Sequence, residues 1–167
     1  MNLAYLSLGS NVGDREAHLR DAVARLGAAG RVAAVSSFYE TEPVEFTNQP
    51  WFLNCAVALQ TSQTPQQLMT ALLRIEEEMG RRRVQKNGPR SIDIDILLFQ
   101  IGKKEHVIID SPELAIPHPA MYHRRFVLEP LAEIAPDAVH PIFKKTISEL
   151  RDALPAGQAV RNTRTKA

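Results

Sequence analysis

The stretch Ile92-Asp93-Ile94-Asp95-Ile96-Leu97-Leu98-Phe99 is short and strongly β-branched, as expected of a strand, and it completes the series of elements that decides the fold. Five elements are predicted before it. They are a strand at Leu3 to Leu8, a helix after Asp14, strands at Ala34 to Glu40 and Trp51 to Gln60, and a second helix from Thr64 to near Gly80. This β-α-β-β-α-β order is that of ferredoxin-like folds, in which two helices cover one face of a mixed or antiparallel sheet. We therefore predict an α+β, ferredoxin-like βαββαβ sandwich whose other face is free for ligands.

Additional elements are predicted beyond Phe99. The turn Ile101-Gly102-Lys103 indicates a hairpin, and two extra helices are expected near Arg125 to Ile134 and Ile147 to Leu154. A length of 167 residues with 44% hydrophobic content fits a single globular domain, which we place at residues 1–160. Residues 161–167 are predicted to be a flexible, frayed basic tail.

Composition restricts the class of protein. Twenty Lys and Arg against 19 Asp and Glu give a net charge of +1, so the chain is not expected to bind nucleic acid through its overall charge. Cys55 is the one cysteine and lies in an apolar run, which predicts a buried thiol and a reducing compartment. No apolar run approaches the roughly 20 residues that cross a bilayer, so we expect no membrane partner and a cytoplasmic location.

Two carboxylates are the first candidate for chemistry. The alternation of the strand puts Asp93 and Asp95 on one face, with backbones about 6.6 Å apart at ~3.3 Å per residue. Like charges so placed repel, and hard oxygen ligands favour a magnesium ion shared with phosphate oxygens. The alternative is an edge strand with two solvated acids, and the pair alone does not decide between these readings.

A basic run precedes the two acids and favours the phosphate reading. It contains Arg81, Arg82, Arg83, Lys86 and Arg90. Arginine matches phosphate oxygens bidentately, and Arg90, three residues before Asp93, is the first choice for phosphate contact. Solvated cations after a helix end are the alternative, and they are the better reading of Arg82 alone. The sequence has no P-loop, dinucleotide-binding motif, zinc-ligand spacing or nucleophile elbow, so a nucleotide would be held by side chains and metal.

Two other groups of residues are candidates for ligand contacts. Phe52 and Asn54 share a strand face and offer an aromatic ring beside an amide, which suits a planar heterocycle. The alternative is a core phenylalanine and a strand polar residue with its hydrogen bonds satisfied. His118 lies between two prolines, and a histidine so placed is more often structural than catalytic.

Together, segments spread along the chain resemble the 6-hydroxymethyl-7,8-dihydropterin pyrophosphokinase family. The similar segments are Leu8-Gly9-Ser10-Asn11, Ser36-Ser37-Phe38-Tyr39-Glu40-Thr41, Gln49-Pro50-Trp51-Phe52-Leu53-Asn54, Gly88-Pro89-Arg90-Ser91-Ile92-Asp93-Ile94-Asp95-Ile96, Pro117-His118-Pro119 and Arg124-Arg125-Phe126-Val127-Leu128-Glu129-Pro130-Leu131. The resemblance spans roughly residues 3 to 142 and implies a monomeric, ferredoxin-like enzyme of folate synthesis. Such an enzyme transfers pyrophosphate from ATP to the hydroxyl of the pterin and releases AMP and the pterin diphosphate.

The resemblance also implies site residues. Two Mg²⁺ ions would be held by Asp93 and Asp95, and catalysis would rest on these two residues with Arg81 and Arg90. The residues implied for ATP are Glu76, Arg81, Arg83, Lys86, Arg90, Ile96, His118 and Arg124. The residues implied for the pterin are Thr41, Pro43, Val44, Phe52, Asn54, Asp95 and Phe126. The competing hypothesis is a non-catalytic ferredoxin-like module for RNA or a small molecule, which has no need of paired acids.

Overall fold

The structure, a computed structural model, describes residues 1–42, 48–80, 91–157 and 159–167. In chain order its elements are β1 (Asn2–Ser10), α1 (Arg15–Arg25), β2 (Arg31–Val35), β3 (Ser37–Thr41), β4 (Phe52–Thr61), α2 (Pro65–Glu78), β5 (Asp93–Ile101), β6 (Glu105–His106), β7 (Ile109–Asp110), β8 (Ala115–Ile116), α3 (Arg125–Ile134), α4 (Ile147–Asp152) and β9 (Val160–Lys166). The main antiparallel sheet has the order β6-β5-β1-β4-β3-β9, and β2 also pairs with β4. The predicted α+β, ferredoxin-like fold is confirmed.

Local sequence signals determine where the first two helices begin. The Asp14 side chain accepts a hydrogen bond from the Ala17 amide, which caps α1. Thr64 and Gln67 form a capping box, and Pro65 occupies the first turn of α2, as the Thr-Pro pair predicts. Among the described helices, none is both long and apolar enough to span a membrane.

The first face of the sheet packs against α1 and α2. Leu19, Ala22, Leu68, Leu72 and Ile75 from the helices are buried against alternate residues of the strands. Those strand residues are Ala4, Leu6, Leu8, Leu53, Cys55, Val57, Leu59, Ile94, Ile96 and Phe99. The predicted burial of the Cys55 thiol is confirmed, and this burial raises its pKa to about 12.

The second face is only half open, so the prediction that this whole face is free for ligands is wrong. The predicted helix from Arg125 to Ile134 exists as α3, and it packs with α4 over one half of this face. Leu128 and Leu131 lie against a strand surface that includes Tyr5 and Leu98. Apolar strand residues require such a cover, because their exposure to water would be unfavourable. The cluster formed with α3 and α4 does not include the end of β1 or the starts of β4 and β5, where Asn54, Asp93 and Asp95 stand.

Two predictions about the edge of the sheet are wrong. The strand predicted from Ala34 to Glu40 is broken at Ser36, whose hydroxyl donates to the Ser37 carbonyl and accepts from the Ala56 amide. The tail predicted to be frayed at residues 161–167 forms most of β9, which pairs with β3. Backbone pairing orders this polar segment although it has little apolar surface to bury.

Candidate active site

Three neighbouring strands bring the predicted polar residues into one row. In the register of the sheet, Gly9 of β1 lies opposite Asn54 of β4 on one side and Asp93 of β5 on the other. Two residues further back, Ser7 lies between Ala56 and Asp95. Adjacent strands lie about 4.8 Å apart, so an amide and two carboxylates occupy one small area of the second face.

The alternation predicted for the acidic strand is present. Ile94 and Ile96 are buried in the helix-covered core, at 5% and 2% exposure, while Asp93 and Asp95 are half-buried on the opposite face. Their carboxylates supply the hard oxygen donors that Mg²⁺ prefers. Within the ranges that the structure describes, no group of three His, Cys, Asp or Glu residues is arranged to hold a metal. Mg²⁺ prefers six oxygen ligands, so an ion held by two carboxylates takes its other ligands from waters or phosphate oxygens.

Glu76 supports the acidic strand from behind. It is 4% exposed on α2, and its carboxylate accepts a 2.8 Å hydrogen bond from the backbone amide of Ile94, the residue between the two aspartates. This bond gives the strand amide a hydrogen-bond partner and links α2 to β5 at the residue between the two aspartates. Ile96, another residue predicted to contact ATP, points its side chain into the core, which leaves only its backbone for such a contact.

Asn54 and Thr41 form a buried polar pair beside the acids. They are 4% and 1% exposed, and the Asn54 amide nitrogen donates to the Thr41 hydroxyl at 2.6 Å. A Cβ added to Gly9 would lie 2.4 Å from the Asn54 side-chain oxygen and 3.6 Å from the ring of Phe52. Gly9 therefore gives the amide its space, a role that sequence reasoning missed although a glycine inside a strand signals close approach.

Phe52 lies beside this polar area, while Phe126, the other predicted aromatic contact, packs at the start of α3 against the apolar cluster of the second face. Phe52 begins β4 on the face that carries Asn54, and Phe126 lies in the first turn of α3; both are half-buried. The guanidinium of Arg124 lies 5.5 Å from the centroid of the Phe126 ring, within cation-π range. The described residues thus include a cation and two rings that a flat ligand could contact.

His118 is held in a fixed tautomer near the acids. Its backbone amide donates to the Leu97 carbonyl at 3.0 Å, and its Nδ1 accepts from the Ala120 amide at 3.2 Å. The neutral ring therefore carries its proton on Nε2. Burial, with smaller contributions from Arg124 and His123, lowers the pKa of His118 to about 4, while Asp93 acts in the opposite direction. His118 is thus a neutral hydrogen-bond donor at pH 7.

The turn after β1 contributes a residue that sequence reasoning did not assign. Asn11 is 1% exposed, and its amide nitrogen donates to the Gln49 side chain at 2.8 Å and to the Pro50 carbonyl at 3.2 Å. It ties this turn to the segment that leads into Phe52. Its position directly after β1, in the segment Leu8-Gly9-Ser10-Asn11 that resembles the family, was the available signal.

Six predicted site residues lie outside the described residues, in the ranges 43–47 and 81–90. They are Pro43, Val44, Arg81, Arg83, Lys86 and Arg90. Their predicted contacts with ATP or with the pterin stay predictions.

Comparison with known proteins gives a consistent relationship. The family model described as 7,8-dihydro-6-hydroxymethylpterin-pyrophosphokinase (HPPK) matches residues 5–136. A Bacillus subtilis protein named 2-amino-4-hydroxy-6-hydroxymethyldihydropteridine pyrophosphokinase is 52% identical over 135 residues, covering 80% of this chain and 78% of the relative. The folic acid synthesis protein fol1 of Schizosaccharomyces pombe is 41% identical over 161 residues, which are 95% of this chain but 21% of that protein.

Solved structures agree with the fold. A crystal structure of Plasmodium falciparum HPPK-DHPS superposes with a TM-score of 0.68 at 19% identity, covering 90% of this chain. The match covers 45% of that longer protein, so the chain spans less than half of its length. At this identity the similarity supports the fold alone.

Proposed function

The chain belongs to the 7,8-dihydro-6-hydroxymethylpterin-pyrophosphokinase family, and from this premise we propose that it transfers pyrophosphate from ATP to 6-hydroxymethyl-7,8-dihydropterin. It would act as a 2-amino-4-hydroxy-6-hydroxymethyldihydropteridine diphosphokinase in tetrahydrofolate biosynthesis. One observation carries the proposal: Gly9 stands in register between Asn54 and Asp93, so the amide proposed to bind the heterocycle and the acid pair proposed to bind the metal-bound phosphates are neighbours.

The nucleotide side of the proposed site is built on β5. Asp93 and Asp95 fit a magnesium-polyphosphate ligand because their carboxylates are two half-buried oxygen donors on one face of β5. The proposed site holds two Mg²⁺ ions at this pair. When bound, magnesium supplies neutralisation of the phosphate charge. His118, whose pKa is affected by both Asp93 and Arg124, would offer its Nε2 proton as a donor, and Arg124 would add a cation beside it. Arg81, Arg83, Lys86 and Arg90 complete this side as predicted phosphate contacts.

The pterin side is built on β3, β4 and the start of α3. Asn54 and Thr41 offer donors and acceptors to the polar edge of the ring system, and Phe52 and Phe126 offer faces for stacking. Pro43 and Val44 are further predicted contacts, and Asp95 would face the substrate hydroxyl.

The proposed reaction needs positioning rather than a covalent nucleophile. The pterin hydroxyl oxygen forms a bond to the β-phosphorus of ATP, the bond from that phosphorus to the α-β bridging oxygen breaks, and AMP leaves while the hydroxyl proton is released. The row of Asn54, Gly9 and Asp93 would hold the acceptor next to the phosphates. Catalysis would come from orientation and from charge neutralisation.

We further propose a monomer that acts in the cytoplasm and does not bind nucleic acid. The buried thiol of Cys55 suits a reducing compartment, and the net charge of +1 does not favour a phosphate backbone. A non-catalytic RNA-binding module is not favoured, because Asp93 and Asp95 would repel RNA phosphates.

The test is the nucleotide product formed by the purified chain. With Mg-ATP and 6-hydroxymethyl-7,8-dihydropterin, we expect AMP and the pterin diphosphate in equal amounts, and no AMP when the pterin is omitted. ADP as the product would indicate transfer of a single phosphate. Absence of any pterin-dependent nucleotide product would support the binding-module alternative.

A further inference from the structure

We propose that β9 is a positioning element of the pterin subsite. It would set pterin affinity by holding β3 in place, the strand that pairs with β4 beside Asn54 and Phe52. The inference depends on the proposed function for the identity of the ligand. β9 lies beyond residues 5–136, which the family model matches, so membership of the family does not assign it a role.

β3 gives β4 only a short stretch of backbone pairing. Within the described residues β3 pairs with β4 at three positions, and two of them place Tyr39 opposite Asn54 and Thr41 opposite Phe52. β1 supports β4 on one side, with Gly9 opposite Asn54, and on the other side the two proposed pterin contacts are supported by the five-residue strand β3. Without a further strand, β3 would be an edge with unpaired backbone groups.

β9 covers this edge of β3 up to its end. Thr41 lies opposite Val160 in the register. Beyond it, the Glu42 amide donates to the Ala159 carbonyl at 3.2 Å, and the Ala159 amide donates to the Glu42 carboxylate at 2.8 Å. Thr41 accepts the hydrogen bond of the Asn54 amide on one side of β3, and β9 pairs with it on the other side.

Side chains also connect β9 to β3 and to α3. Arg161 pairs with Glu40 at 3.1 Å, and Glu40 also pairs with Arg15, which donates to the Trp51 carbonyl at 2.9 Å. At the other end, Lys166 lies 3.6 Å from Glu133 of α3, which accepts from the Tyr39 hydroxyl at 2.7 Å. Exposed ion pairs contribute little individually, so we assign the main effect to the backbone ladder.

The effect of β9 should be selective for the pterin. The acidic strand β5 is separated from β3 by β1 and β4, which puts the two strands about 14 Å apart at ~4.8 Å per strand. Glu76 on α2 holds β5 independently. Loosening β3 should therefore weaken pterin binding and leave nucleotide binding unchanged.

The experiment compares the full chain with a chain that ends at Gly157, and a chain that ends at Lys166 serves as the matched control. The dissociation constants of the pterin and of a nonhydrolysable ATP analogue with Mg²⁺ are measured for each. We expect the chain ending at Gly157 to bind the pterin about tenfold more weakly and the analogue within about twofold of the full chain. A synthetic peptide of residues 159–167 should restore pterin affinity by strand addition.

Point variants cover the case in which the shorter chain fails to fold. Arg161→Pro puts a proline inside β9, opposite Glu40, where it disturbs the backbone pairing with β3. Arg161→Ala removes only the side chain that pairs with Glu40, and Ala167→Pro puts a proline beyond the end of the strand. Weaker pterin binding in Arg161→Pro alone supports the proposal. Unchanged pterin binding, or equal loss of both ligands, overturns it. If the full chain releases no pterin-dependent AMP, the proposed function has failed, and that outcome is separate from the behaviour of these variants.

Discussion

The second face of the sheet has two halves that are made from the same three strands and have opposite character. In one half, Tyr5 lies between Ala58 and Leu98, and α3 covers all three. In the other, four residues along β1, Gly9 lies between Asn54 and Asp93. The two rows are about 13 Å apart at ~3.3 Å per residue.

The difference shows how one sheet separates stability from chemistry. The packed half buries apolar side chains that need no hydrogen-bond partners. It contributes to the free energy of unfolding by removing apolar surface from water. The polar half buries Thr41 and Asn54, which must be satisfied by hydrogen bonds such as the one between them. We therefore expect mutations in the packed half to change the free energy of unfolding, and mutations in the polar half to change ligand binding and turnover.

The largest effect is expected from Asp95→Asn in the polar half. The substitution keeps the shape of the side chain but removes the charge proposed to hold the metal-bound phosphates, so turnover should fall by several orders of magnitude. The free energy of unfolding should change by less than about 1 kcal/mol, because Asp95 is a half-buried strand residue. Steady-state kinetics and urea unfolding measure the two quantities. Near-normal turnover would remove Asp95 from the site.

The mirror experiment is Leu131→Ala in the packed half. Leu131 is fully buried between α3 and the sheet, and its truncation should lower the free energy of unfolding by about 2–5 kcal/mol. The KM values of both substrates should stay unchanged at temperatures where the variant is folded. A large change in either KM, without loss of stability, would show that the two halves are not separate.

A smaller effect is expected from one added methyl group at Gly9. In Gly9→Ala the new Cβ would meet the Asn54 side-chain oxygen at 2.4 Å, so the amide has to move away from its hydrogen-bonded position. We expect pterin binding to weaken by about tenfold, with ATP binding unchanged. Gly27→Ala is the matched control, because its added Cβ meets no described atom within 4 Å. Equal pterin affinity in both variants would argue against the assigned role of Asn54.

The smallest effect concerns pH and His118. Its folded pKa of about 4 lies below the unfolded value of 6.5, so the unfolded chain binds more protons as the pH falls through that interval. Stability from this group is complete above pH 6.5 and is lost toward pH 4. Between pH 7 and pH 5, the free energy of unfolding should fall more for the natural chain than for His118→Gln. Equal losses would show that the folded protein does not hold this ring neutral.

The sequence predicts much of this arrangement because its signals are local. The Thr64-Pro65 start of α2 and the alternation around Asp93 and Asp95 both depend on neighbouring residues, and both are confirmed. The helix at Arg125 to Ile134 was also predictable, but the face that it covers was not, since that choice depends on the whole apolar surface of the sheet.

The residues that escaped prediction depend on distant partners. Val160 to Lys166 has almost no apolar face, and its strand exists because the edge of β3 is available to pair with it. The need for glycine at position 9 depends on the side chain of Asn54, 45 residues later in the chain. Such constraints act through space, and a single sequence does not display them.

The most direct measurement of the central claim is a map of backbone amide chemical shifts by NMR, with and without the pterin and a nonhydrolysable Mg-ATP analogue. If the polar half is the site, the amides of Gly9, Asn54, Asp93 and Asp95 should shift most, while those of Tyr5, Ala58 and Leu98 change little. Shifts that are concentrated in the packed half, or spread evenly over both halves, would contradict the assignment of the site.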